Sequence, residues 1–143
     1  KESSLVDEFK KETQVGLYKD SELLAIYILG DQLVDDVKKE ISQIKELNKN
    51  LYLASGDHTQ VVEDLAKELN IDNFYSKQSP EQKSQLVKEI SHCMMVGDGA
   101  NDALALKTAD VAIAVGGAVD LSLRASDVFV ENPGIKSIKT LFL

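Results

Sequence analysis

The sequence predicts an α/β fold: a parallel sheet with helices on both faces. Three observations predict it. Short apolar runs alternate with stretches of helical spacing along nearly the whole chain. Two of those runs, Leu51-Tyr52-Leu53-Ala54 and Cys93-Met94-Met95-Val96, stop abruptly at the turns Ser55-Gly56-Asp57 and Gly97-Asp98-Gly99. Each turn leads at once into a helical pattern. Polar side chains then sit at the carboxyl edge of a strand, where open α/β sheets bind their ligands.

The elements follow in order. Leu5, Val6 and Phe9 among charges suggest a surface helix in the first dozen residues. Val15 to Tyr18 and Leu23 to Ile28 form a hairpin across the polar turn Lys19-Asp20-Ser21-Glu22. Val34, Val37, Ile41, Ile44 and Leu47 make one helical face ahead of the Leu51 strand, and Val61, Val62, Leu65, Ala66 and Leu69 make the next. Ser79 as N-cap, Pro80 at the first helical position and Gln82 completing a capping box mark a third helix start, with Leu86, Val87 and Ile90 as its buried face. Strands are expected at Cys93 to Val96, Val111 to Val115 and Val128 to Val130, and a short helix from Val119 to Ala125. After Pro133-Gly134, the stretch Ile135 to Leu143 has helical spacing. It suits either a link toward a membrane helix, the reading preferred here, or a closing helix.

With 143 residues and 43% apolar content the chain suits one modest core and one domain. A net charge of −8 argues against nucleic-acid binding through a basic surface. No apolar run reaches the length of a membrane span, and the N-terminus lacks a secretory pattern. Cys93 is the single cysteine, so no internal disulfide forms, and its apolar neighbours suggest a buried thiol. His58 and His92 lack partners at ligand spacing and read as surface or turn residues. Met94 and Met95 point to opposite faces of a strand and read as core. Gly116-Gly117 reads as a turn.

The chemistry concentrates in three motifs. In Gly97-Asp98-Gly99-Ala100-Asn101-Asp102 the glycines permit a tight turn and close approach by a ligand. Asp98 and Asp102, four apart, converge if a helix begins near Ala100, and suit a hard cation that takes oxygen ligands and keeps some water. Asn101 can hold a carboxylate or a water. Ser55 offers a hydroxyl beside the free N–H groups of the following helix, an anion ligand; the plainer alternative is that Ser55 or Asp57 only caps that helix. Lys83, one turn into the Ser79 helix, can bring a compact positive charge to phosphoryl oxygens. Alone, each motif has an ordinary structural reading as a turn, a cap or a solvated lysine. Together they form a magnesium-phosphate constellation.

In order and spacing, Ser55-Gly56-Asp57, Ser79-Pro80-Glu81-Gln82-Lys83 and Gly97 through Asp102 with Ala103-Leu104-Ala105-Leu106 resemble the later motifs of the phosphorylation domain of P-type cation-transporting ATPases, members of the haloacid dehalogenase-like superfamily. The resemblance runs from about Val15 to about Asn132, and takes in Gly30-Asp31 and Ala109 to Val115. The compact loops and the small residues around Ala112-Ile113-Ala114 look most like the heavy-metal subclass, copper pumps first. It implies a Rossmann-like haloacid dehalogenase-type sheet. Ser55, Gly56, Lys83 and Asn101 would bind the phosphoryl group. Asp98 and Asp102 would bind Mg2+, with Ser55, Lys83, Asp98 and Asp102 as the catalytic set. Asp31 and Asp57 would fall at hinge positions. ATP would be bound mainly by a nucleotide-binding domain outside this chain.

The departures are informative too. The family's nucleophile is the first Asp of Asp-Lys-Thr-Gly-Thr, and that string is absent from these residues. The resemblance therefore implies a C-terminal part of the domain, lacking the usual first central strand, which would lie between the Ser55 and Asp98 strands. Ser55 stands where Thr is commoner, His58 where Asn is commoner, and Gly30-Asp31-Gln32-Leu33 lacks the usual proline. On this reading residues 1–143 are a partial phosphorylation domain. Residues 1–14 are left over from the link to the nucleotide-binding domain, and 133–143 lead toward a transmembrane helix. The partners would be the nucleotide-binding, actuator and membrane domains of a parent pump. The segment would be cytoplasmic and would not itself bind the transported cation. The alternatives are a soluble phosphohydrolase of the same superfamily or a non-catalytic regulatory module.

Overall fold

The computed structural model describes residues 13–29, 33, 36–98, 100–116, 124–131, 135 and 138–142. The surface helix expected in the first dozen residues, Gly30-Asp31-Gln32, Gly117 and most of the helix expected from Val119 to Ala125 lie outside the described residues. The chain divides into two compact units, Lys1–Leu33 and Val34–Leu143.

In the first unit β1 (Thr13–Lys19) and β2 (Glu22–Leu29) pair antiparallel from Thr13↔Leu29 to Lys19↔Glu22, with a register shift between Leu17 and Tyr18, as the two apolar runs joined by a polar turn predict. The two-residue turn places Asp20 at φ 49° and Ser21 at φ 70°. Both being left-handed, the turn matches the twist of the strands it joins. Val15, Leu17, Tyr18, Leu24 and Tyr27 of the hairpin remain exposed.

The second unit is α/β. Its elements are α1 (Val37–Lys45), β3 (Tyr52–Ala54), α2 (Thr59–Glu68), β4 (Asn73–Tyr75), α3 (Pro80–Glu89), β5 (Met94–Gly97), a 3-10 turn (Ala100–Asp102), α4 (Ala103–Leu106), β6 (Val111–Val115), β7 (Val128–Val130) and a 3-10 segment (Ile138–Phe142). The 3-10 segment stands where helical spacing was expected near the C-terminus. β4 carries no signal in the sequence: three residues are too few to show alternation. Pairing makes it a strand, because Leu53 lies opposite Phe74, and Asn73 donates from its side-chain amide to the Leu51 carbonyl at 3.2 Å. α2 ends where Asn70 turns to φ 55°. The Ile71 N–H then reaches the Ala66 carbonyl and the Asn70 N–H the Lys67 carbonyl, the helix-ending pattern that buries the residue beyond the turn.

The parallel strands form two separate ladders, β3-β4 and β5-β6-β7. No backbone pairing joins β3 to β5 among the described residues, so these two strands have not closed up on each other. The break falls where the central strand is expected to be missing. β6 is the best-covered strand: Ala112, Ile113 and Ala114 are all buried, so both of its faces look into protein. Ile113 packs with Ile44 of α1 and Ile138 of the C-terminal 3-10 segment, joined by Leu51, Met94, Val96, Val128 and Phe142. Ala112 and Ala114 look the other way. Two aspartates fasten the strand beginnings: Asp110 accepts the Cys93 N–H at 2.8 Å, and Asp127 accepts the Ala112 N–H at 2.8 Å.

The unpaired edges can be read residue by residue. The Ser55 N–H bonds the Tyr75 carbonyl, so by alternation the Leu53 N–H also faces β4, while those of Tyr52 and Ala54 face the break. The Cys93 carbonyl accepts from β6, so Met95 and Gly97 face β6, while Met94 and Val96 face the break. Hydrogen exchange should be more than about tenfold faster at Tyr52, Ala54, Met94 and Val96 than at Leu53, Ser55, Met95 and Gly97. Uniform protection along both strands would show that the break is filled.

Candidate active site

The site begins with a well-anchored helix. Ser79 accepts the Gln82 N–H at 3.2 Å, and the Gln82 side chain accepts the Ser79 N–H at 2.8 Å, so the capping box expected from the sequence is complete. The Ser79 hydroxyl in turn donates to Glu81 at 2.8 Å. That bond holds the exposed Glu81 carboxyl below its ordinary value of 4.5, with a backbone hydrogen bond adding to the effect. Lys83, on the first turn of α3, closes the first backbone bond of the helix onto the Ser79 carbonyl at 2.9 Å.

Lys83 does not extend into solvent. Its ammonium meets Asp102 Oδ1 at 2.8 Å, and both side chains are only 13% exposed. Asp102 closes the 3-10 turn that follows β5, and its side chain lies directly against Gly97. A Cβ on Gly97 would stand 2.7 Å from Asp102 Cβ and 2.9 Å from Oδ2. The glycine is thus required by the close approach of a carboxylate of this same chain, where the sequence suggested approach by a ligand. A second contact fixes α3 on α4. Thr108 donates to the Leu104 carbonyl at 2.8 Å, which leaves its hydroxyl oxygen to accept from the buried Ser84 at 2.8 Å. Sequence reading missed Ser84 and Thr108, since a Ser and a Thr on two helices carry no signature until the helices meet.

Asp98 is exposed at the end of β5, with no hydrogen-bond or ion-pair partner among the described residues. Asn101 is exposed in the 3-10 turn. Gly99 and Asp31 lie outside the described residues. Ser55 donates to Asp57 at 2.6 Å, and the Asp57 N–H returns to the Ser55 hydroxyl at 3.3 Å. The capping alternative fails here: the N-cap of α2 is His58, with no side-chain cap bond. The loop carrying Ser55, Gly56 and Asp57 is tied to the approach to α3. Gln78 donates to the Ser55 carbonyl and Lys77 to the Asp57 carbonyl, each at 2.9 Å. A Cβ on Gly56 would meet the Gln78 carbonyl at an ordinary 3.5 Å, so no crowding demands glycine there.

Cys93 is half-buried just ahead of β5. Burial, and then the nearby Asp110 charge, push its thiol above the ordinary 9.0. His92 occupies an exposed turn at φ 57°, in keeping with its reading as a turn residue.

Ser79→Ala should lower stability by about 1 kcal/mol in urea denaturation. Glu81's contribution is present above pH 4.5 and lost as the pH falls below it, because its folded-state value is the depressed one; the Ser79→Ala deficit should therefore shrink in acid. Alkylation of Cys93 by iodoacetamide should be slower at pH 8 than that of an unstructured cysteine peptide, with a midpoint above 9.0.

Comparison with known proteins agrees with this architecture. Residues 1–110 match the haloacid dehalogenase-like hydrolase family. A copper-transporting ATPase of Helicobacter pylori is 40% identical over 124 residues, 84% of this chain and 17% of that protein. The chain thus spans about a sixth of the length of the curated relatives it matches. Among solved structures, a zinc-transporting PIB-type ATPase in its E2.Pi state superposes with a TM-score of 0.77 at 28% identity, covering 97% of this chain and 24% of that one. The catalytic domain of the CPx-ATPase CopB-B gives 0.69 at 30% identity, covering 88% and 52%. The chain belongs to the haloacid dehalogenase-like hydrolase family, within which its resemblance is to a segment of the heavy-metal P-type ATPases.

Proposed function

We propose that this chain is part of the phosphorylation domain of an ATP-driven heavy-metal cation pump, with copper the first candidate cargo. The observation that carries the reading is the Lys83–Asp102 pair at the end of β5, next to Asp98, which is exposed and has no partner among the described residues. Together they set an ammonium and an exposed carboxylate at one strand end, the charges needed to face a phosphoryl group and a hard cation. The nucleophilic aspartate is supplied by a part of the parent outside these residues. The unpaired edges of β3 and β5 suit a strand bringing it in.

Magnesium fits Asp98 on the chemistry of the donors: one exposed carboxylate suffices for an ion that keeps several waters and takes phosphoryl oxygens. Bound there, it would offset phosphoryl charge as a Lewis acid. The chain's own groups orient and neutralise. Among the described residues the Lys83 ammonium bonds only Asp102, and its other two N–H donors can meet phosphoryl oxygens. Ser55 rotates its hydroxyl hydrogen from Asp57 toward the same group, and Gly56 adds its N–H. Asn101 and Asp102 order the surroundings of Asp98. Catalysis of this kind is positioning and electrostatic stabilisation rather than covalent work by these side chains.

In the parent, the partners are the nucleotide-binding, actuator and membrane domains. ATP is held mainly by the first, and the transported cation binds elsewhere. Residues 1–14 are the end of the link from the nucleotide-binding domain, 133–143 lead toward a transmembrane helix, and the segment lies on the cytoplasmic side. The exposed apolar side chains of the β1-β2 hairpin support a neighbour of this kind, since a two-stranded hairpin alone is marginal in water. Among the described residues no helix is long and apolar enough to cross a membrane. Asp31 and Asp57 are assigned to the hinge.

Two measurements test the proposal. The 143-residue chain with radiolabelled ATP and magnesium should form no acid-stable phosphoprotein, because it lacks the acceptor. An antibody to this segment should detect, in the membrane fraction of the source cells, a band several times heavier than 15.7 kDa. A soluble band at the chain's own mass, or a phosphoenzyme formed by the chain alone, would overturn it.

A further inference from the structure

We propose that Glu40, beneath α1, is the contact for a positively charged side chain on the strand that enters the break between β3 and β5. The proposal deepens the reading that a parent protein supplies such a strand, and rests on it. Among the described residues Glu40 is the most covered charged residue, at 9% exposure. Its carboxylate has no hydrogen-bond or ion-pair partner among them. The phosphoryl chemistry makes no use of it.

Its place follows from the helix. Glu40 stands one turn before Ile44, and residues four apart share a helix face. Ile44 is buried with Ile113 and Ile138, and the same cluster takes in Leu51, beside β3, and Met94 and Val96 of β5. The buried face of α1 therefore spans the two strands that border the break, and roofs it. α1 feeds β3 through the short connection 46–51, so it ends at the amino edge of that strand. Glu40 then lies a turn nearer the carboxyl edge, the end at which Ser55 and Asp98 stand.

The chain itself leaves this charge unmatched. Lys139 belongs to the C-terminal 3-10 segment that packs on Ile44 through Ile138, yet it makes no ion pair with Glu40. The carboxylate is tolerated because it is not sealed: no buried side-chain oxygen among the described residues lacks a partner, so the Glu40 oxygens still reach water. A strand entering beneath α1 takes that water away. Covering an ionised carboxylate is costly unless a donor and an opposite charge come with the cover. The strand's backbone N–H groups are committed to the edges of β3 and β5, so the donor has to be a side chain. A hydroxyl would supply one bond and leave the charge, whereas lysine or arginine supplies a charge-assisted bond and neutralises it. Alternation confines that residue to the strand face turned toward α1.

The test uses the full 143-residue chain and short blocked peptides of valine and threonine, identical except for one central residue, lysine or norleucine. Binding is read as protection of the Tyr52, Ala54, Met94 and Val96 amides from hydrogen exchange. The lysine peptide should bind about tenfold more tightly than the norleucine peptide. Glu40→Gln should bind the two alike, with its urea midpoint unchanged, since the hydrated carboxylate adds nothing to the unfilled chain. A carbodiimide should join the peptide lysine to Glu40 in the unmodified chain, a readout that needs no variant. Equal affinity of the two peptides, a lysine advantage that persists in Glu40→Gln, or a cross-link formed in preference at another carboxylate would overturn the role given to Glu40 and leave strand entry standing. Protection of none of the four amides by either peptide would overturn strand entry into the break, and this proposal with it.

Discussion

The contact on which the site depends is the seating of Asp102 against the bare Cα of Gly97. It joins three things far apart in kind: the end of a parallel strand, the 3-10 turn after it, and, through a 2.8 Å ion pair, the first turn of α3. The strand end is itself held by its ladder to β6, whose Ile113 is wholly buried between α1 and the C-terminal 3-10 segment. A displacement of α1 or of the C-terminal segment would therefore reach the site through β6 and β5. Close packing transmits such shifts because it leaves no free volume in which to absorb them.

Carboxylates are put to two uses in this unit. Asp110 and Asp127 sit at strand beginnings and accept backbone N–H groups, so their charge serves the ladder. Asp57, Asp98 and Asp102 follow strand ends, where side chains and a ligand can meet. The surplus negative charge of the chain thus has a spatial order that its net value conceals. Each residue expected to bind phosphoryl through a side chain on β3's loop or α3 is already engaged by such a carboxylate: Ser55 by Asp57, and Lys83 by Asp102. Asp98 alone among these acids is left without a partner in the described residues.

The break between β3 and β5 has a physical consequence for the whole unit. Two strands that each carry unpaired N–H and C=O groups along one edge remain apart, although Leu51, beside β3, and Met94 and Val96 of β5 reach the same apolar cluster. Apolar contact holds the two ladders within one unit without backbone pairing between them. Such edges are templates for another strand.

Much of this was legible from residues alone. The hairpin, the helical faces, the β5 and β6 strands and the α3 capping box rest on local rules, and a capping box is complete within four residues. The motif order from Ser55 to Asp102 likewise pointed to the family without any coordinates. What the sequence could not determine is who partners whom. β4 became a strand only by pairing with β3. Ser84 met Thr108 only because two helices crossed, and of Asp98 and Asp102, alike on paper, only Asp102 came to lie against Gly97 and pair with Lys83, while Asp98 is exposed with no partner among the described residues. Local propensity acts within a few residues of chain, whereas these distinctions arise from contacts between residues 5 to 24 positions apart, which exist only once the fold has brought them together.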